Sequence, residues 1–109
     1  MTISIGTASW ADKSLIDTAR FYPPEASTPE ARLRYYATQF PLVEVDTSFY
    51  ALPSAPVVRQ WALRTPMGFT MNAKAFRLFT GHQTSPAVLP PDVREALPME
   101  LKDRSVIYY

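Results

Sequence analysis

Glu44 and Asp46 stand two residues apart in LVEVDTSFY, residues 42–50, a stretch with the alternation of a β-strand. Residues two apart in a strand share a face. Glu44, Asp46, Ser48 and Tyr50 therefore fall on one side and Val43, Val45, Thr47 and Phe49 on the other. Carboxylates on a half-buried face are costly unless paired; put to use, they act as general acid, general base or metal ligand. Lys74, in FTMNAKAF, is the candidate counter-charge on a neighbouring strand. A purely structural ion pair is an equal reading, because buried pairs perturb titration without doing chemistry. A glycosidase pair fits poorly: two such residues lie about 7 Å apart at Cα and side by side, whereas glycosidase carboxylates must flank a substrate.

His82 is the single histidine and follows Thr80 and Gly81 in a loop; it reads as a solvated side chain, a proton shuttle or a lone metal ligand. Arg77 with Lys74 could clamp a phosphate or carboxylate, or Arg77 could cover apolar surface with its stem. Trp10, Phe21, Tyr22 and Tyr50 offer rings for stacking on a ligand, although aromatic residues near strand ends commonly serve packing. The candidate catalytic residues are thus Glu44, Asp46, Lys74 and His82, and the candidate substrate-binding residues are Trp10, Ser48, Tyr50 and Arg77. No Walker loop, dinucleotide fingerprint, paired-histidine zinc motif or nucleophile elbow is present. With no cysteine, a metal would have to use oxygen or imidazole, and the cofactor is unknown from sequence.

These residues need elements to hold them. TISIGTAS predicts a strand near 3–8, followed by a polar loop. STPEARLRYYATQF predicts a helix near 28–40, started by Ser27 with Glu30 as a capping box or by Thr28 with Pro29 at the first helical position. Its Leu33, Tyr36, Ala37 and Phe40 follow helical spacing. The second strand spans about 43–49, and a helix near 55–65 carries Val58, Trp61, Ala62 and Thr65 on one face. After the turn TPMGF comes a third strand near 69–76. Of its two faces, Thr70, Asn72, Lys74 and Phe76 are assigned to the interior side. From residue 80 onward the chain is Pro-rich and weakly periodic, with a short helix near 92–97 and a further element beginning in SVIYY.

Strands alternating with amphipathic helices indicate parallel βαβ units. The helix-covered face must be apolar, which sends Val43 and Val45 toward the helices and Glu44 and Asp46 to the other side. Eleven basic against ten acidic residues give no footprint of a general polyanion binder, so nucleic acid is neither indicated nor excluded. The start MTISIGTASW lacks a signal-peptide pattern and no apolar run is long enough to span a bilayer, so a cytoplasmic location without membrane association is expected.

The segments IGTASWADKSLI, FYPP, RLRYYATQFPLVEVDTSFYALP, RTPMGFTMNAKAFRLFTGHQT and LPPDVR, in this order and spacing, resemble the N-terminal part of the DUF72, or YecE-like, family. The resemblance implies a TIM-barrel-like α/β fold and says little of function. A (β/α)₈ barrel typically needs about 250 residues, so 109 residues imply the first three βα units of an incomplete barrel, with an uncovered sheet edge open to self-association. The leading expectation is that the full-length form is a barrel enzyme acting on a small polar or anionic substrate. Two alternatives stand beside it: an endonuclease IV-like barrel that binds nucleic acid or cleaves phosphodiesters, and a nonfunctional fragment.

Overall fold

The computed structural model describes residues 1–108. Its elements divide between two compact units, one of residues 1–45 and 54–73 and one of residues 46–53 together with the described residues from 74 onward.

In the first unit, β1 (Gly6–Ala8), β2 (Leu42–Val45) and β3 (Thr70–Ala73) form a parallel sheet in the order β1-β2-β3. The helices α1 (Lys13–Asp17), α2 (Pro29–Gln39) and α3 (Ala55–Leu63) lie between the strands in sequence. This α/β arrangement, all strands parallel, is that of the opening part of a TIM-barrel-like fold. Thr28 caps α2, its hydroxyl accepting the Ala31 N–H, with Pro29 at the first helical position. The polar loop after β1 contains α1, whose N-cap Asp12 accepts the Ser14 N–H at 2.8 Å. Hydrogen bonds from the Ser14 hydroxyl and amide hold the Asp12 carboxyl below its ordinary range.

The register sorts the two faces. Thr7, Val43 and Met71 form one row; Ala8, Glu44 and Asn72 form the next, and alternation places that second row on the opposite face. Val43 is fully buried in a core with Tyr22, Ala26 and Tyr36, against which Phe21, Phe40, Phe69 and Met71 pack. The Tyr36 hydroxyl satisfies its own burial by joining two strands: it accepts the Thr7 N–H at 2.7 Å and donates to the Leu42 carbonyl at 3.0 Å. Strands β1 and β2 approach so closely that a Cβ at Gly6 would lie 2.1 Å from the Leu42 carbonyl oxygen, so this position excludes any side chain. Tyr22 donates its phenolic proton to the Trp10 carbonyl, and burial pushes the Tyr22 phenol up to about 12.

Three boundaries differ from the sequence expectation. Ile3 and Ile5 lie outside β1 and are exposed. Strand β2 stops at Val45, and a 3₁₀ turn takes over at Asp46–Phe49. Asp46, Thr47 and Ser48 are residue types whose side chains bond to nearby backbone and so compete with ladder pairing, which alternation alone does not register. Strand β3 stops at Ala73, so Lys74 and Phe76 are not on it. Helix α3 has the expected periodicity, yet none of its residues is buried: Val58 and Ala62, with Thr65, Pro66, Met67, Phe69 and Met71, line an open hollow of about 420 Å³.

The second unit is built from short pieces. Further 3₁₀ turns occupy Arg77–Thr80 and Pro86–Val88, α4 is Pro91–Glu95 and α5 is Met99–Lys102. An antiparallel bridge joins Thr84 to Ile107, with N–H···O distances of 2.9 and 2.7 Å. Phe76, Leu89 and Ile107 form the core, flanked by Leu78, Leu97 and Leu101. Within SVIYY the residue so fixed is Ile107; Tyr109 lies outside the described residues.

Candidate functional site

The second unit gathers most of the candidate residues around one ring, that of Phe49. In a 3₁₀ turn, positions i and i+3 lie on the same side, which puts Asp46 and Phe49 together at the two ends of their turn. Lys74 meets both: its Nζ is 3.9 Å from Asp46 Oδ1 and 5.3 Å from the Phe49 ring centroid. The Arg77 guanidinium carbon lies 5.7 Å from the same centroid. The rings of Tyr50 and His82 stand edge-on to Phe49 at 5.1 and 5.3 Å.

The backbone holding these groups is itself tied down. Ser48 is buried, and its hydroxyl donates to the Lys74 carbonyl at 2.6 Å. That bond pins the segment after β3 to the 46–49 turn, so Ser48 tethers the backbone of the cluster. The turn Arg77–Thr80 is closed by the His82 N–H on the Arg77 carbonyl at 3.0 Å. The Thr80 hydroxyl lies 2.8 Å from His82 Nδ1.

Electrostatically the cluster is cationic. The Lys74 and Asp46 side chains are 50% and 37% exposed, and an ion pair at that distance and exposure contributes about 0–1 kcal/mol. Arg77 Nε is buried and makes no hydrogen bond to the protein; Arg77 forms no ion pair among the described residues. In the sheet unit, Arg32 and Arg64 Nε are likewise buried without a hydrogen bond to the protein. Among the described residues no group of three or more His, Asp or Glu side chains is placed to hold a metal ion.

Glu44 and Trp10 belong to the sheet unit. Glu44 is half-buried on β2 in the row with Ala8 and Asn72, so its lateral neighbour on β3 is an amide, and the expected pairing with Lys74 along that strand does not arise. Because β2 ends at Val45, Asp46 does not share a strand face with it. Trp10 follows the end of β1 and sets its ring edge-on to Trp61 at 5.4 Å, packed against the sheet-unit core. The sequence pattern places Phe49 and Asn72 on strand faces but not among the candidate site residues. Strand alternation assigns Phe49 to the apolar face, and only its three-residue spacing from Asp46 could have paired the two.

Comparison with known proteins is consistent with this architecture. No solved structure matches the chain. The UPF0759 protein YunF of Bacillus subtilis (strain 168) is 36% identical over 95 residues, which are 87% of this chain and 31% of that protein; the chain thus spans about a third of its relative. No helix among the described residues is long and apolar enough to cross a membrane. Residues 4–103 match the family described as "Protein of unknown function DUF72", and the chain belongs to that family.

Proposed function

We propose that the Phe49 cluster is an anion-binding site and that it serves a barrel enzyme acting on a small polar or anionic substrate. The observation that carries this reading is the convergence of Lys74 and Arg77 on one ring, offset by a single carboxylate at 3.9 Å. Two cations held near each other repel, and a bound phosphate or carboxylate relieves that repulsion while accepting the buried Arg77 Nε–H. Asp46 shares Lys74 and adjusts its position; Tyr50, which is 61% exposed, offers a ring to the rest of the ligand.

The test is titration of the chain with inorganic phosphate, followed by the NMR signals of Lys74, Arg77 and His82. Saturable shifts are expected in the wild type, weakened about tenfold or more in Arg77→Ala, since hydrogen bonds to charged groups are worth about 1.5–3 kcal/mol. Shifts that do not saturate, or that survive Arg77→Ala unchanged, would sink the proposal.

Exposed Tyr50 and Phe79 favour a second reading, a nucleic-acid strand whose bases stack while its phosphates meet the cations. It requires affinity for single-stranded DNA that falls steeply with salt.

A further inference from the structure

We propose that Thr80 is a positioning residue that fixes the tautomer of His82, with the proton on Nδ1 and the acceptor lone pair on Nε2. The Thr80 hydroxyl carries one proton and lies within bonding distance of two groups, the Arg77 carbonyl at 3.1 Å and His82 Nδ1 at 2.8 Å. If the hydroxyl donates to the carbonyl, Nδ1 must carry a hydrogen and donate to the hydroxyl oxygen, and both contacts are hydrogen bonds. If it donates to Nδ1 instead, one bond forms and two oxygens face each other at 3.1 Å without a proton between them. The first arrangement makes two hydrogen bonds within the turn where the second makes one, and it is the one proposed.

The local backbone supports this placement. Gly81, between the two residues, has φ +74°, a left-handed conformation that a side chain disfavours. The turn there is closed by the His82 N–H on the Arg77 carbonyl, which leaves hydroxyl and imidazole within reach. The Phe49 ring, edge-on to His82 at 5.3 Å, restricts the imidazole from another side.

The consequence is chemical. In its neutral form an imidazole protonated on Nδ1 can accept only through Nε2, so that form of His82 presents a hydrogen-bond acceptor on the side away from Thr80. What Nε2 acts upon rests on the anion-site reading; the tautomer stands on Thr80 alone.

Long-range proton–nitrogen correlation NMR of the 109-residue chain, above the titration of the imidazole, decides it, and the single histidine makes the assignment direct. The wild type is expected to show the Nδ1–H pattern, Thr80→Val to move most of the population to Nε2–H, and Thr80→Ser to restore the wild-type pattern. A wild type dominated by Nε2–H overturns the proposal, as does a tautomer unchanged in Thr80→Val. If Thr80→Val fails to fold, the wild-type spectrum and Thr80→Ser still decide the assignment. Phosphate titration of the same sample tests the anion site separately: a correct tautomer with no phosphate binding would fault that reading and leave this one intact.

Discussion

The sheet unit and the second unit use their backbones in opposite ways. In the first, parallel pairing fixes each residue's face, so rows such as Thr7, Val43 and Met71 repeat across all three strands and the buried side chains follow from the alternation. In the second, 3₁₀ turns, helices of four or five residues and one bridge replace the ladder. There Asp46 and Phe49 come together as i and i+3 of one short turn, and Lys74, Arg77 and His82 reach the same ring from the segment after β3, with no strand to line them up. Regular structure supplies the core in one unit, while irregular structure aims charged groups in the other. Loops carry function in this way because their backbone is free of the alternation rule.

The largest expected effect tests whether the irregular unit has a genuine core. Phe76 is buried with Leu89 and Ile107, and truncating a buried phenylalanine costs about 3–5 kcal/mol. In Phe76→Ala the amides of Thr84 and Ile107, which close the bridge, should lose most of their protection from hydrogen exchange. Unchanged protection at both amides would show that turn and bridge hydrogen bonds hold the unit without its core, and the contrast between the units would have to be redrawn.

A smaller effect probes the sheet unit at its polar joint. Tyr36→Phe keeps the ring and removes the hydroxyl that accepts from Thr7 and donates to Leu42. A partly buried amide and a carbonyl then lose a partner, at a cost of about 1–3 kcal/mol. Urea unfolding should show the midpoint falling with an unchanged slope. A shift of less than a few tenths of a kcal/mol would mean that water or a rearranged Thr7 side chain replaces the phenol.

What the sequence made legible follows the same division. Val43 and Val45 on the apolar face, Leu33 and Tyr36 on the buried stripe of α2, and the parallel strand order could all be read from periodicity, because burial on one side imposes a period. The ends of β2 and β3 could not. Ladder pairing stops where Asp46 to Ser48 and then Lys74 enter other hydrogen bonds, and a strand pattern in sequence has no term for that competition. Helix α3 shows the complementary limit: its spacing marks a face suited to burial, and Val58 and Ala62 are nevertheless exposed on it. The cationic cluster was half legible. Asp46 with Lys74 was among the expected pairs, but Phe49 at its centre was hidden by the assumption of a longer strand.

The smallest expected effect concerns the charges on the regular unit, where they decorate structure instead of being aimed by it. Glu30, in the first turn of α2, accepts from Arg34 at 3.1 Å through Oε1 and lies 3.7 Å from Arg64 through Oε2. The Glu30 and Arg34 side chains are about half exposed, at 50% and 54%, so water screens that pair, and such pairs contribute about 0.2–1 kcal/mol. Glu30 also sits where a helix dipole favours negative charge, a term of similar size. Glu30→Gln should therefore lower stability by no more than about 1 kcal/mol at low salt, and the difference from wild type should shrink toward zero near 1 M salt, where the screening length is about 3 Å. A loss well above that, or one that persists in high salt, would show that Arg64 needs Glu30 to satisfy its guanidinium. The Arg64 side chain is only 21% exposed, and its Nε is buried without a partner, so of the two arginines it is the one through which such a result would arise. In that case the regular unit, too, would depend on an aimed charge.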